Sequence, residues 1–213
     1  MRMEQRLRLL DVAERLDSWI IEDDFDGEYR FQGRPVPAMQ GTDRSDRVIY
    51  LGTFAKLLFP ALRLGFMVLP QPLLKGVAQA LRITGQFAPL LLQAALADFI
   101  DQGHMSMHLR RMRRIYSVRR EVFRQIAETY LSDWMLLRPT DAGIQFVGEL
   151  RKGCDDRAVA AAAQRRGINV APLSIHYRHS EPLAGLVMGY AATNETTMLS
   201  GFKLLREALR EAS

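Results

Sequence analysis

Three short apolar runs, each stopping abruptly, constrain this chain most. Trp19-Ile20-Ile21 ends in Glu22-Asp23-Asp24, Val48-Ile49-Tyr50-Leu51 ends in Gly52-Thr53, and Leu64-Gly65-Phe66-Met67-Val68-Leu69 is closed by Pro70. Runs this brief, without strict alternation, read as buried strands of an open sheet. Helical periodicity surrounds them. Residues 4–17 set Leu7, Leu9, Leu10, Val12, Ala13 and Leu16 at helical spacing among Arg and Glu. Further helices are predicted over 71–82, 88–101 and 104–130. The stretch with Gly27, Gly33, Pro35, Pro37 and Gly41 reads as loop.

The later half has a different rhythm. Ile144-Gln145-Phe146-Val147 is a predicted strand after a turn at Gly143. Asp155 to Arg166 is an Ala-rich helix stopped by Gly167. Ile168-Asn169-Val170 and Leu186-Val187-Met188-Gly189-Tyr190 are short predicted strands. A helix from Thr193 to Glu211, capped by Thr193 or Asn194, closes the chain. This gives an α/β fold with a boundary near residue 104: residues 1–103 form a β/α part and residues 104–213 a smaller α+β part.

Composition narrows the function classes. Hydrophobic residues at 48% and charged residues at 25% support a packed core. No apolar run approaches the roughly 18 residues of a membrane span, and the start lacks an apolar export signal, so a cytoplasmic location is expected. The single Cys154 leaves neither an internal disulfide nor a cysteine-rich metal site, and no metal is expected. The net charge of +5 permits an anionic partner without requiring one. The arginines of 104–124 could face nucleic acid, but a solvated helix face is the simpler reading, so no direct nucleic-acid contact is expected. Only four cationic side chains are lysines: Lys56, Lys75, Lys152 and Lys203.

Lys56 stands out among these, because it follows a predicted strand within Phe54-Ala55-Lys56-Leu57-Leu58-Phe59. A lysine kept dry by such neighbours is available as a nucleophile toward a carbonyl, although a snorkelling surface lysine is the commoner fate of a single lysine. Thr53 offers a hydroxyl at the strand end. Arg63 sits between apolar neighbours, where a planar anion such as phosphate suits its fork, or an acid such as Asp23 or Asp24 would pair with it. Asp23 ends the first strand, where α/β sheets gather ligands. A carboxylate there can hold a pyridine nitrogen protonated or serve as a loop-start acid.

These residues lie within Ile20 to Arg30, Pro37 to Gly41, Arg47 to Lys56 and Phe59 to Gly65. Together those segments closely resemble the aminotransferase-like domain of MocR-type regulators, bacterial GntR-superfamily transcription factors that fuse a winged helix-turn-helix to a fold-type I pyridoxal-phosphate (PLP) domain. The match is dense over 19–70 and continues to the C-terminus through Pro172-Leu173-Ser174 and Leu186 to Ala192. The resemblance implies a partial fold-type I transferase, with a mostly parallel large domain and a small α+β domain. It implies PLP as cofactor, Lys56 as the internal-aldimine lysine, Asp23 at the pyridine nitrogen, Thr53 and Arg63 at the phosphate, and Phe25 beside the ring. It further implies a small amino compound or amino acid as ligand, a homodimer that completes the pocket, and a sensor role. The alternative is a PLP-dependent aminotransferase of the 2-aminoadipate type, and whether the chain is an enzyme stays open.

The sequence departs from the family pattern in several places. Phe25 stands where the family has a tyrosine, so a hydrogen bond to the cofactor's ring oxygen is lost. Ala55 replaces a serine. The 186–190 strand has no arginine for a substrate carboxylate; Arg178 in the preceding loop could substitute, although a solvated loop residue is its default reading. Set against the family pattern, these residues are expected to lack the winged helix and the first large-domain strands, which predicts exposed apolar sheet edges and association.

Overall fold

The computed structural model describes every residue except 2, 25–26, 32, 34–36, 152 and 213. The chain divides into two compact units, Met1–Leu109 and Arg110–Ser213.

The first unit runs α1 (Met3–Arg15), β1 (Ile20–Asp24), β2 (Val48–Thr53), β3 (Gly65–Val68), α2 (Gln71–Thr84) and α3 (Leu90–Asp101). Helix α4 (His104–Leu131) begins in this unit and crosses the boundary. The sheet order is β1-β2-β3. β1 and β2 are parallel, with Asp23 opposite Leu51, while β3 returns antiparallel, with Gly65 opposite Thr53. The connection over residues 54–64 is too short for the crossover that a parallel neighbour needs, so the chain doubles back. The connection is closed at its base by a bond from Phe54 N to Leu64 O at 3.0 Å.

Local chemistry sets the helix ends. Pro72 lies in the first turn of α2, where its missing N–H costs nothing. Gly85 follows that helix at φ 65°, a left-handed conformation that glycine adopts freely.

The expectation that all three strands are buried does not hold. Ile21 is 66% exposed, and every residue of β3 is exposed. Leu7, Leu9 and Leu16 of the N-terminal helical segment are open as well. Of the 23 exposed large hydrophobics among the described residues, 20 lie in the first unit. A sheet of this kind buries both faces only with a layer on each, and this unit does not supply both. Its core is small: Leu62, Leu64, Leu96 and Met105, flanked by half-buried Phe54, Leu58, Phe99 and Leu109.

The second unit contains the rest of α4, β4 (Met135–Leu137), β5 (Gln145–Leu150), α5 (Asp156–Arg165), β6 (Ala171–Pro172), β7 (Gly185–Gly189) and α6 (Glu195–Glu211). Its four-stranded sheet, β4-β5-β7-β6, is antiparallel throughout. The core is aromatic. Phe123 stacks on Phe146 at 5.0 Å and meets Phe202 edge-on at 4.8 Å, with Tyr190 beside Phe146 at 5.4 Å. Asp155 caps α5 by accepting from Arg157 N and Ala158 N, and Asn194 caps α6 by accepting from Thr197 N. Strand β4 has no counterpart in the sequence reading, and β6 lies at 171–172 rather than 168–170.

Two arginines of α4 depart from the solvated-face expectation. Arg119 donates to Ala191 O, and Arg120 donates to Thr140 O with its guanidinium 5.5 Å from the Phe146 ring centre. They tie α4 to its own unit through carbonyls and an aromatic face. No described helix is long and apolar enough to cross a membrane.

Candidate cofactor site

Strand alternation sorts the three acids that end β1. Ile21 and Asp23 point to one face, and Ile20, Glu22 and Asp24 to the other. Glu22 and Asp24 are committed locally. Glu22 accepts from Met39 N at 2.8 Å, Gln40 N at 3.0 Å and Arg6 at 3.2 Å. Asp24 accepts from the Tyr50 hydroxyl at 3.0 Å and Gly27 N at 3.0 Å. A Cβ at position 27 would stand 2.2 Å from the Asp24 carboxylate, which would have to shift to admit it. Burial, and next the bond to Asp24, push the Tyr50 hydroxyl well above the usual phenol range. Asp23 differs from both neighbours: its carboxylate is exposed and makes no hydrogen bond or ion pair among the described residues.

Thr53 ends β2 on the same face as Asp23, by register and alternation. Its hydroxyl accepts from Ala55 N at 3.2 Å, which starts the turn carrying Lys56. Arg63 lies two residues before Gly65, which pairs with Thr53. Its φ is 53°, a left-handed conformation costing about 1–2 kcal/mol for a residue with a Cβ. Arg63 is exposed and has no ion pair with Asp23 or Asp24, nor any other partner among the described residues. Thus the carboxyl ends of β1 and β2 and the entry to β3 bring Asp23, Thr53, Lys56 and Arg63 to one end of one sheet. Phe25 lies outside the described residues.

Lys56 requires a correction. It was expected to be dry among Phe54, Leu57, Leu58 and Phe59, but it is exposed in the turn after β2. Its neighbours divide: Leu57 turns into the core and is 6% exposed, while Phe59 is 54% exposed. In a tight turn, successive side chains cannot all face one way, and the apolar ones take the interior. The residues around it in the sequence therefore do not enclose the amine.

Two supporting residues went unnoticed in the sequence. The Leu57 carbonyl accepts from His108 Nε2 at 2.8 Å and from the Tyr29 hydroxyl at 3.4 Å. Tyr29 sits inside the quoted motif, but His108 is remote in sequence and carries no signal of its own. No cluster of three or more metal-ligating side chains occurs among the described residues.

As a donor set, an exposed amine, an unpartnered guanidinium, a hydroxyl and an unpartnered carboxylate at one sheet end suit an aldehyde-bearing, anionic, basic-ring cofactor.

No family model matches the chain. It is 52% identical over 208 residues to the probable rhizopine catabolism regulatory protein MocR of Rhizobium meliloti, covering 98% of this chain and 42% of that protein. It is 34% identical over 208 residues to the uncharacterized HTH-type transcriptional regulator YdeL of Bacillus subtilis, covering 98% and 45% respectively. Among solved structures it matches the kynurenine aminotransferase of Pyrococcus horikoshii, crystallised in complex with PMP, KYN as substrates and KYA as products. The TM-score is 0.90 at 26% identity, over 99% of this chain and 52% of that one. The chain therefore spans less than half the length of these two curated relatives. The architecture is that of fold-type I aminotransferases.

Proposed function

This chain belongs to the aminotransferase-like part of the MocR-type regulators, and on that premise we propose that it is a PLP-binding effector module. It senses a small amino compound or amino acid. Lys56 supplies the amine that attaches the cofactor's aldehyde, Asp23 faces the ring nitrogen, and Thr53 and Arg63 hold the phosphate. When bound, the cofactor supplies an electron sink for amino groups. The protein's share is to grip and orient it: a guanidinium and a hydroxyl at the anionic end, and a carboxylate at the basic one.

One observation carries this reading. Of the three acids ending β1, Asp23 alone has a carboxylate with no hydrogen bond or ion pair among the described residues, and it shares a sheet face with Thr53. An acid and an arginine left unpartnered at one sheet end are what an absent ligand would engage. The exposure of Lys56 fits a site whose cover comes from other polypeptide, and a second copy of the domain is the proposed source.

The aminotransferase reading is kept because the structural neighbour is itself an aminotransferase. Strand β7 and the Tyr190 that follows it, which offer no arginine for a substrate carboxylate, weigh against it.

The test is a spectrophotometric titration of the purified chain with PLP. A saturable visible band is expected, abolished in Lys56→Ala and weakened in Asp23→Ala. Absence of a band at excess PLP would overturn the proposal. Amino donors with 2-oxoglutarate then separate the two readings: repeated turnover means an enzyme, and a single spectral change without turnover means a sensor.

A further inference from the structure

The exposed Lys56 side chain rises from a backbone that is tied on both sides. Ala55 N bonds Thr53 Oγ1 at 3.2 Å, and Leu58 N bonds Phe54 O at 2.9 Å. Between them, the Leu57 carbonyl is taken by His108 Nε2 at 2.8 Å, with Tyr29 adding a longer contact at 3.4 Å. Water could satisfy a turn carbonyl at little cost. Here the acceptor instead receives a histidine 51 residues away in sequence and a fully buried tyrosine. His108 reaches it because α4 packs its first turns under the same loop: Met105 is buried with Leu62 and Leu64, and Leu109 packs against them.

The shorter bond is the stronger of the two, since 3.4 Å is at the limit for an O–H donor. Because a carbonyl only accepts, Nε2 carries the proton. The ring nitrogen is the donor of this bond and the carbonyl its acceptor.

We propose that His108 is a positioning residue for Lys56: its bond to the Leu57 carbonyl holds the turn so that the lysine amine leaves it in one direction. This rests on the assignment of Lys56 as the cofactor lysine. Fixing the turn removes backbone freedom that covalent attachment would otherwise have to quench. His108 touches no reacting atom.

The experiment uses the full chain with PLP, quenched with borohydride at timed intervals and mapped by mass spectrometry. Exposed Lys75 and Lys203 serve as internal controls. His108→Leu is expected to slow modification of Lys56 on the order of tenfold, the scale of one lost hydrogen bond, and to leave Lys75 unchanged. His108→Gln, which keeps a donor at similar reach, is expected to restore most of the rate. Tyr29→Phe should cost less. Equal Lys56 rates in His108→Leu and the parent would overturn the proposal.

Amide hydrogen exchange over 54–58 is a second readout, independent of the cofactor. Faster exchange there in His108→Leu, with β7 and α6 protection unchanged, supports the positioning role and excludes general unfolding; unchanged exchange overturns it. Should the parent protein label Lys56 no faster than Lys75, the cofactor assignment fails, and the exchange result still decides the role of His108.

Discussion

At the scale of single residues, Arg63 sets function against backbone preference. A side chain held at φ 53° costs about 1–2 kcal/mol that glycine would avoid, and an exposed, unpartnered guanidinium returns nothing visible to the fold. Strain of this sort persists where something other than stability retains it. Arg63→Gly should therefore leave the unfolding midpoint unchanged or slightly raised while weakening PLP binding about tenfold or more, the scale of a lost charge-assisted contact. Denaturant melts and PLP titration check the two halves separately. A destabilised variant with intact binding would make Arg63 structural.

Asp156 is the contrasting residue. It is 2% exposed and accepts from Ser174 N at 2.8 Å, Ser174 Oγ at 2.7 Å and Gly185 N at 3.1 Å. Burial pushes its carboxyl up, but the Ser174 and Gly185 bonds outweigh that and hold it below the usual carboxylate range. A group whose folded value is depressed contributes stability that is complete above its unfolded value, about 3.9, and is lost as pH falls through the lowered folded value. Acid melts of the chain should show this loss. Asp156→Asn, which cannot satisfy three donors equally, should flatten it and cost about 1–3 kcal/mol near neutral pH.

At the scale of elements, α6 offers a test of helix chemistry. Gly201 lies inside this helix, where glycine costs about 1 kcal/mol relative to alanine. A Cβ there would meet only Ile168 Cδ1, at an ordinary 3.7 Å. Gly201→Ala should stabilise by up to about that amount, measured by thermal melts, and a loss of stability would mean the helix packs more tightly than described.

Elements are also where the sequence was most legible. Periodicity located α2, α3 and α4, and the stop at Gly167 and the cap at Asn194 marked ends of α5 and α6 because those residues act locally. β4 was missed because Met135-Leu136-Leu137 is a three-residue strand with no turn signal of its own. The burial of β3 was misjudged because apolarity reports what a strand could bury, while its neighbours decide what it does bury. The site divides in the same way. Asp23, Thr53, Lys56 and Arg63 are legible because they flank strands in one contiguous segment. His108 is not, because its role exists only once α4 folds against the 54–64 connection.

For the whole molecule, exposed apolar surface concentrates in the first unit, on Ile21, Phe66, Met67, Leu90 and Leu91 among others. Exposed apolar side chains in this number favour association, and β3 adds an edge strand without a charged side chain. The isolated chain should self-associate in a concentration-dependent way and bind a hydrophobic dye. Light scattering after size exclusion checks this, and a monodisperse monomer without dye binding would show that the surface is tolerated. Charged substitutions at Phe66 and Met67 should reduce association without unfolding the second unit, whose aromatic core is separate.

The central claim is that one lysine of four receives the cofactor, and it is tested most directly by locating the attachment. The chain is saturated with PLP, reduced with borohydride, and its peptides are weighed. The account predicts one equivalent of modification on the peptide containing Lys56, lost when Asp23 and Arg63 are both replaced by alanine. Modification spread over Lys56, Lys75, Lys152 and Lys203 without preference, or none at Lys56, would contradict it.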